Sequence, residues 1–299
     1  MRIIVFGANG FVGRRILQRL VAQGEHKVLA VSRSEDLLST EGYEFAQLDM
    51  TDAAATERLL QAFAPSVVIN AAAQSVVDYC EQHPDEALAL NVAAPDMLAR
   101  WCAANDCRLL HLSTDFVFDG TKSAPYVETD AANAVNHYGR TKRMAEVVIG
   151  AVCENYAVLR VEVVYGMPLP GQHGNIVELV KQRLTQGHVF TAAADQWRTP
   201  TWVEDIATAT LALLDSNLLG VYHIAGGEQL SIAELAVRVA RFFGLDATLI
   251  QPVNTADMQE ATPRPRFTPL DCSKAKSDFG YEPTTLEAAL VHEYGSNNG

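Results

Sequence analysis

Long apolar runs, clustered cysteines and an excess of positive charge are all missing from this chain of 299 residues. No apolar stretch approaches the roughly 18 residues of a membrane-spanning helix, and the N-terminus enters a strand without a basic leader segment. The five cysteines are scattered and contain no CxxC pair, which is typical of reduced thiols and predicts no structural metal site. These absences predict a cytoplasmic protein that does not bind membranes.

The charge balance also excludes one class of partner. The chain carries 36 acidic and 23 basic residues, which gives a formal net charge of -13. Nonspecific binding to nucleic acid needs clustered Lys and Arg, so we exclude nucleic acid as a partner. An anionic small molecule remains compatible with this charge, because a helix N-terminus or a few cations can form a local positive site.

Apolar runs alternate with helical patterns through the first half of the chain. Residues 3–6 and 26–31 are apolar and flank an amphipathic pattern over 11–23, which gives a βαβ unit within about 30 residues. Uniformly apolar strands are typical of a parallel sheet covered on both faces, so we predict an α/β, Rossmann-type doubly wound fold. Further helices are expected at 53–64, 84–105 and 136–152, and further strands at 67–70, 109–112 and 157–164.

A glycine-rich turn joins the first strand to the first helix. Gly7, Gly10 and Gly13 have the spacing GxxGxxG, which permits a tight turn, close approach of backbone to a pyrophosphate and tight helix packing. The helix N-terminus then faces the phosphates. Its position between strand and helix predicts a dinucleotide site, and a turn without a ligand is the alternative.

The end of the second strand carries information about the cofactor. A carboxylate at this point accepts a hydrogen bond from the ribose 2'-hydroxyl of NAD, whereas an arginine accommodates the 2'-phosphate of NADP. The sequence has Ser32 and Arg33 here and no acid, which favours NADP(H) and leaves NAD(H) open. Arg33 as a plain solvated cation is the alternative. Asp49 closes a strand that precedes the helix expected at 53–64, and Asp49 and Met50 are assigned to the cofactor site. Asp49 could contact the adenine, and a simple turn role is equally open.

A second motif combines a phenol with an amine. Tyr138 and Lys142 are one helical turn apart on one face, and the cation is expected to lower the pKa of the phenol. Thr114 follows a predicted strand at the carboxyl edge of the sheet, where ligands of α/β proteins bind. His111, inside that strand, is expected to pack in the core.

Together these motifs make the chain similar to the extended short-chain dehydrogenases/reductases, and within them to the dTDP-4-dehydrorhamnose reductase family. The resemblance covers nearly the whole sequence. The matching segments are GANGFVG from Gly7, NAAAQSVVDYCEQHP from Asn70, LNVAAP from Leu90, STDFVFDG from Ser113, YGRTK from Tyr138, LRVEVVYG from Leu159, TPTWVEDIA from Thr199 and TPLDCSKAKSDFGYEP from Thr268.

The resemblance implies NADP(H)-dependent reduction of a 4-keto-6-deoxy sugar linked to a nucleotide, with Tyr138 as proton donor. It implies Thr114, Tyr138 and Lys142 as the catalytic set and no metal. The resemblance also assigns residues to the cofactor site besides those named at the glycine-rich turn and the strand ends. They are Phe11, Val12, Ala72, Ala73, Ser75, Ser113, Tyr138 and Lys142. The substrate-side residues are Val77, Thr114, Asp115, Phe116 and Arg198.

The same comparison predicts how the chain divides. Residues 1–165 are expected to form the NAD(P)-binding Rossmann domain, with core elements returning near 201–226. Residues 166–200 and 227–299 are expected to form a smaller, interleaved substrate-binding lobe. A long loop is predicted where turn-forming residues crowd together at Pro168, Pro170, Gly171 and Gly174.

Departures from the family pattern keep alternatives open. Tyr79, Phe116 and Val163 stand where the family has Lys, Tyr and Trp, and Arg198 replaces a small residue and could reach a substrate phosphate or form a surface pair. Dehydration is disfavoured, because Asp115 is followed by an aromatic residue and not by the second acid of the dehydratases. The alternatives are a C4 epimerase of a nucleotide sugar and a noncatalytic regulatory subunit of the methionine adenosyltransferase beta type. A homodimer is also open.

Overall fold

The computed structural model describes residues 1–38, 41–169, 172 and 174–295. Pro170 and Gly171 of the predicted loop lie outside these ranges, and so do the last four residues of the chain. In the ranges that are described, no helix combines the length and the apolar character needed to cross a membrane.

A parallel sheet of seven strands forms the centre of the molecule, as predicted. Its spatial order is β11, β6, β5, β4, β1, β2, β3, and each neighbouring pair is parallel. The strands of the described chain are β1 (Arg2–Phe6), β2 (Lys27–Ser32), β3 (Glu44–Gln47), β4 (Val67–Asn70), β5 (Arg108–Thr114), β6 (Tyr156–Val161), β7 (Val164–Tyr165), β8 (Phe190–Ala193), β9 (Trp197–Arg198), β10 (Thr201–Trp202), β11 (Gly220–Ile224), β12 (Leu230–Ser231) and β13 (Ile250–Val253).

Helices cover both faces of this sheet, which confirms the doubly wound prediction. Helices α1 and α8 pack together on one face, and α2, α5 and α6 bury their apolar sides on the other. The helices are α1 (Phe11–Gln23), α2 (Ala53–Phe63), α3 (Val77–Gln82), α4 (Pro84–Leu88), α5 (Ala94–Ala104), α6 (His137–Val152), α7 (Ile176–Thr185), α8 (Val203–Leu214), α9 (Ile232–Phe242), α10 (Ser273–Phe279) and α11 (Leu286–Tyr294).

The direction of chain winding reverses between β1 and β4 at the middle of the sheet. Both strands run the same way and end at the same edge, so the turn after Phe6 and the segment after Asn70 lie side by side. A reversal of this kind opens a crevice at the carboxyl ends of the strands, which is where open α/β sheets bind ligands. The fold therefore places the glycine-rich turn at the expected site.

A second apolar cluster packs beside the sheet. It combines α7, α9 and α11 with the parallel pair β8 and β13. Helix α9 begins with a complete capping box, in which the Ser231 hydroxyl accepts from the Glu234 amide and the Glu234 carboxylate accepts from the Ser231 amide. Strands β9 and β12 pair antiparallel and bring this region next to the ends of the main strands.

Two predicted elements are wrong in detail. The helix expected at 84–105 is interrupted by a π-helical turn over Ala89–Ala93, in which buried Asn91 donates to the Thr141 hydroxyl at 3.0 Å. The strand expected at 157–164 ends at Val161, because Val163 adopts a positive φ of 38° that breaks the ladder. Both breaks turn a polar side chain inward, which an apolar periodicity cannot indicate.

Candidate active site

The glycine-rich turn is held tightly against the segment that follows β4. Gly7 has a φ of 76°, and a Cβ there would lie 2.6 Å from the Ala72 amide nitrogen. A Cβ on Gly13 would lie 2.2 Å from the Gly7 carbonyl oxygen. Both positions therefore require glycine, and the packing leaves the first amides of α1 at the mouth of the crevice.

A cleft of about 560 Å³ opens beside this turn. It fits the elongated, partly polar shape of a dinucleotide, with glycines on one wall and small side chains on the other. Predicted cofactor residues in its lining are Gly7, Gly10, Ser32, Arg33, Asp49, Met50, Ala72 and Ala73. Those outside the lining are Phe11, Val12, Gly13, Ser75, Ser113, Tyr138 and Lys142.

Asn9, Glu86 and Leu90 are among the cleft residues that were not predicted from the sequence. The Asn9 side chain donates to the Ser34 hydroxyl at 2.9 Å and so ties the glycine-rich turn to the loop after β2. Glu86 and Leu90 come from the region of the π-helical turn. Asn9 could have been suggested by its position within the glycine-rich motif. The positions of Glu86 and Leu90 depend on the π-helical turn, which the sequence pattern does not indicate.

Asp49 behaves as a turn residue at the edge of the cleft. Its carboxylate accepts from the Thr51 amide at 3.0 Å and the Thr51 hydroxyl at 2.7 Å. The backbone hydrogen bond from Thr51 is the main reason that its pKa is lowered, and nearby Arg33 adds to the effect. The turn role is thus established, and the carboxylate still lines the cleft.

The phenol and the amine of the second motif lie on α6. Asn136 caps this helix by accepting from the Gly139 amide at 2.9 Å. Gly139 allows close packing, since a Cβ there would lie 2.0 Å from the Phe116 carbonyl oxygen. The Phe116 and Tyr138 rings meet edge to face with centroids 6.1 Å apart. The predicted substrate-side aromatic is therefore beside the predicted proton donor.

The expected effect of Lys142 on Tyr138 is wrong for this structure. Burial raises the pKa of the Tyr138 phenol, and a hydrogen bond with Thr114 offsets only part of that rise. The Lys142 amine instead contacts His111, with Nζ 3.0 Å from Nε2. The phenol is consequently held in its protonated form at neutral pH.

His111 is buried, as predicted, but its ring does more than fill the core. Its Nδ1 lies 3.1 Å from Asn70 Nδ2, and Asn70 Oδ1 accepts from the Ala72 amide at 3.1 Å. That backbone donor orients the Asn70 amide with its NH₂ toward His111, so Nδ1 accepts and Nε2 carries the proton. In this arrangement His111 Nε2 donates a hydrogen bond to the Lys142 amine, which accepts it only when the amine is neutral.

Protonation of Lys142 is therefore coupled to its buried neighbours. A charged Lys142 would need the opposite His111 tautomer, and that tautomer conflicts with the amide orientation of Asn70. Burial lowers the pKa of Lys142 to about 8, with Glu146 opposing the shift, and burial together with Lys142 holds the pKa of His111 well below its usual range. The neutral amine is thus accessible near physiological pH.

Ser113 faces a buried ion pair and not the cleft. Its hydroxyl donates to Glu146 Oε1 at 2.6 Å. The same carboxylate receives two hydrogen bonds from Arg160, at 2.9 and 2.7 Å. The pair joins α6 to the sheet under Lys142. Ser113 thus fixes the helix that carries both motif residues.

A second group of charges surrounds Asp115. Thr114 Oγ1 donates to Asp115 Oδ1 at 3.0 Å, and the Arg198 Nε lies 3.7 Å from Asp115 Oδ2. Glu162 is fully buried, and its Oε1 lies 3.9 Å from the same Arg198 Nε. No sequence pattern selected this residue. The positive φ of the neighbouring residue, Val163, directs this carboxyl inward.

Arg198 is not a surface residue, so the surface pair expected as one alternative is wrong. Its side chain is 2% exposed, and its terminal nitrogens donate to the carbonyls of Trp197 at 2.8 Å and Pro265 at 2.6 Å. The guanidinium carbon is 5.7 Å from the centre of the Phe116 ring. Val77, the remaining substrate-side residue, begins α3 and is partly exposed.

Comparison with known proteins agrees with this geometry. The family model "RmlD substrate binding domain" matches residues 1–296. The chain is 34% identical over 294 residues to the probable low-salt glycan biosynthesis reductase Agl14 of Haloferax volcanii, covering 97% of this chain and 96% of that protein. It is also 34% identical over 287 residues to methionine adenosyltransferase 2 subunit beta of Xenopus tropicalis, with 91% and 81% covered.

The fold has solved counterparts as well. The crystal structure of a dTDP-4-dehydrorhamnose reductase from Clostridium acetobutylicum superposes with a TM-score of 0.89 at 27% identity, covering 99% of both chains. The predicted resemblance is confirmed, and the chain belongs to the RmlD substrate-binding domain family.

Proposed function

We propose that this protein is an NADP(H)-dependent reductase that converts the ketone of a nucleotide-linked 4-keto-6-deoxy sugar to an alcohol. The observation that carries the proposal is the position of Tyr138, whose ring packs on Phe116 next to Thr114, at the sheet edge that also carries the cleft beside the glycine-rich turn. A ketone reductase needs a proton donor at this point. Relatives with reductase names support the same reading.

The cofactor is NADP(H), with NAD(H) as the weaker alternative. The pyrophosphate would lie against the turn from Gly7 to Gly13, where glycines admit the backbone and amides face the ligand. Arg33 would meet the 2'-phosphate, since it lines the cleft and is exposed. When bound, the nicotinamide supplies hydride to the ketone carbon.

The residues of α6 and β5 supply the proton chemistry. Tyr138 donates its phenolic proton to the oxygen of the ketone as that oxygen gains negative charge. Thr114 stands beside the phenol at the end of β5 and is assigned to the oxygen of the ketone. Lys142 lies one turn away with its amine against His111, and burial brings its pKa to about 8. Burial of these groups excludes water from the transfer.

Substrate binding is assigned to the opposite wall of the site. Phe116 packs on Tyr138, and Val77 and Asp115 stand on neighbouring segments. Arg198 supports this wall from inside, because its terminal nitrogens are held by backbone carbonyls. We place the protein in the cytoplasm, since all five cysteines are free and four are buried. A homodimer stays an open alternative for its assembly.

A second candidate function is a regulatory subunit. It is favoured by the identity of 34% to a methionine adenosyltransferase beta subunit, equal to that of the reductase relative. The intact Thr114, Tyr138 and Lys142 favour catalysis. A C4 epimerase is a third candidate within the same chemistry, and it would return the hydride to the carbon that supplied it.

The test is a plate assay of NADPH and NADH oxidation with dTDP-, GDP- and UDP-linked 4-keto-6-deoxy sugars. We expect one NADPH consumed for each sugar reduced, with NADH used more slowly. No loss of NADPH with any of these ketones would contradict the reductase and favour the regulator or the epimerase.

The regulator is separated from the reductase by a partner experiment. Tagged protein purified from its own cells is examined for a larger enzyme bound in fixed ratio. A bound enzyme whose activity is changed equally by the wild type and by Tyr138→Phe would establish regulation. If no such partner is found and Tyr138→Phe loses NADPH oxidation, the reductase is supported.

A further inference from the structure

Two carboxyl groups and a single guanidinium are buried together behind Thr114. The side chains of Asp115, Glu162 and Arg198 are 4%, 0% and 2% exposed. One cation cannot neutralise two carboxylates, and an uncompensated buried charge is strongly unfavourable. Charge balance therefore requires one proton on the two acids.

A threonine hydroxyl shows the same requirement independently. Thr268 Oγ1 lies 2.6 Å from Asp115 Oδ2 and 3.0 Å from Glu162 Oε1. A hydroxyl has one proton to donate, so two ionised carboxylates would leave one of these oxygen contacts without a hydrogen. One of the two acids must donate to Thr268.

The surroundings indicate which acid does so. Asp115 accepts from the Thr114 hydroxyl and lies 3.7 Å from the Arg198 Nε, so Asp115 is the ionised member. Glu162 then carries the proton on Oε1, because its Oε2 already accepts from the amide and the hydroxyl of Thr199. Burial raises the pKa of both carboxyls, more strongly for Glu162.

The pair reaches the catalytic set through hydroxyl groups. Asp115 Oδ1 accepts from Thr114 Oγ1 at 3.0 Å, and Phe116, two residues on, packs its ring on Tyr138. A line of oxygen atoms thus runs from Glu162 through Thr268 and Asp115 to Thr114. The charged or titratable groups that face the pair are Arg198, Tyr138 and Cys272.

We propose that Asp115 and Glu162 share one proton and that this buried pair positions Thr114 for ketone reduction, because Asp115 Oδ1 accepts from the Thr114 hydroxyl. The inference rests on the proposed reductase function for its role, though not for the shared proton itself. Glu162, Thr268 and Arg198 act as positioning residues, since none of them touches the phenol.

The shared proton stays within the pair during turnover. Its loss would leave two buried carboxylates beside one guanidinium, which is strongly unfavourable. The pair therefore fixes the side chain of Asp115, and through it the hydroxyl of Thr114, without giving up its own proton.

Infrared spectroscopy of the full-length protein tests the shared proton without turnover. We expect a protonated carboxyl C=O band at neutral pH that shifts in D₂O and is lost in Glu162→Gln. The band should also be lost in Asp115→Asn, because the remaining Glu162 then pairs with Arg198 as a carboxylate. A band that persists in Asp115→Asn, or its absence from the wild type, would overturn the sharing.

A matched control comes from the other buried acid of the site. Glu146 is as deeply buried, but Arg160 outweighs its burial and lowers its pKa. Glu146→Gln should therefore leave the carboxyl band unchanged. Loss of the band in this variant would assign it to the wrong residue and contradict the proposal.

Kinetics test the positioning role. In Thr268→Val, which removes the hydroxyl between the two acids, we expect kcat for ketone reduction to fall on the order of tenfold with KM unchanged, less than the loss of roughly 10²-fold or more for a direct proton donor. Thr268→Ser should restore the wild-type rate. Glu162→Gln keeps a donor toward Thr268 and should lose less activity than Thr268→Val. An unchanged kcat in folded Thr268→Val would exclude the positioning role.

The two proposals fail in different ways. If the wild type reduces no keto-sugar, the reductase and the positioning role are both wrong, and the infrared band still decides whether the proton is shared. If reduction occurs and kcat does not respond in Thr268→Val, the positioning role alone is wrong. Thermal unfolding of each variant identifies any that do not fold.

Discussion

The two halves of the site are built by opposite means. The cofactor half consists of backbone, glycines and small side chains around an open cleft, and its shape comes from one continuous motif and the strand beside it. The half around Asp115 and Glu162 is closed and consists of three charged side chains and a threonine hydroxyl from four separate segments.

The difference separates binding from proton control. An open wall of amides can hold phosphates with little desolvation of the protein itself. A closed cluster of acids forces protons to be shared, because charge cannot be solvated there. Variants should therefore act on cofactor affinity in the first half and on rate and pH dependence in the second.

The largest effect is expected at the phenol, where the second half meets the reaction. Tyr138→Phe removes the proton donor and keeps the ring contact with Phe116. We expect kcat to fall by about 10²- to 10⁴-fold, with NADPH affinity within about twofold of the wild type. Stopped-flow kinetics measures kcat, and equilibrium titration measures NADPH affinity. An equally large loss of NADPH affinity would show that the two halves of the site do not act separately.

The glycine-rich turn tests the first half. Gly13→Ala places a methyl group 2.2 Å from the Gly7 carbonyl oxygen and should cost about 1–3 kcal/mol of stability while weakening NADPH binding. Gly24→Ala, at the other end of α1, has open space and a φ of 67°, so it should cost about 1 kcal/mol and leave binding intact. Calorimetry that finds equal affinities in the two variants would refute this account of the turn.

Lys142 tests the cost of burying an ionisable group. Its pKa of about 8 lies below the 10.5 of an exposed lysine, a difference equivalent to roughly 3 kcal/mol. The folded state binds fewer protons between these values, so stability should rise with pH across that window and carry the full penalty below it.

Lys142→Met should accordingly stabilise the fold at pH 7 while abolishing activity. Loss of the His111 contact offsets about 1 kcal/mol, which leaves a gain of roughly 2 kcal/mol that shrinks as the pH approaches 10. Denaturant unfolding measures it, with the exposed Lys276→Met as control. A gain independent of pH would show that packing, not charge, is responsible.

Cofactor choice is expected to respond to Arg33. Arg33→Ser should weaken NADPH binding by about 10- to 100-fold and leave NADH binding unchanged, since one charged hydrogen bond contributes about 1.5–3 kcal/mol. Arg58→Ser, an exposed arginine of α2 outside the cleft lining, is the control. Equal losses for both cofactors would mean that Arg33 does not meet the 2'-phosphate.

The smallest effect is expected at Val163. Glycine relieves the strain of its positive φ, about 1–2 kcal/mol, which offsets the lost burial of a half-exposed side chain. Val163→Gly should therefore change stability by less than about 1 kcal/mol, and Val164→Gly should cost about 2 kcal/mol. If thermal unfolding shows equal losses of stability in the two variants, backbone strain at Val163 does not explain the inward position of Glu162.

The position of the open cleft could be predicted from the sequence, because its parts are local. The turn from Gly7 to Gly13, the end of β2 and the segment after β4 each follow a strand that apolar periodicity reveals. The spacing of Tyr138 and Lys142 likewise survives folding, since one helix carries both.

The other half could not be predicted for physical reasons. Glu162 lies in an apolar strand pattern, and only the backbone break at Val163 turns it toward Asp115. His111 was assigned to the core correctly, but its contact with Lys142 depends on the register of β5 against α6. Arg198 looked like a surface residue because its acidic neighbours are distant in sequence.

Transfer of label from the cofactor to the sugar tests the central claim most directly. NADPH deuterated at the transferred position is incubated with the protein and the dTDP-linked 4-keto-6-deoxy sugar, and the product is examined by mass spectrometry and NMR. We predict one deuterium at C4 of the product alcohol for each NADP⁺ formed. A product without deuterium, or no product while the protein binds NADPH, would contradict the assignment of this site to ketone reduction.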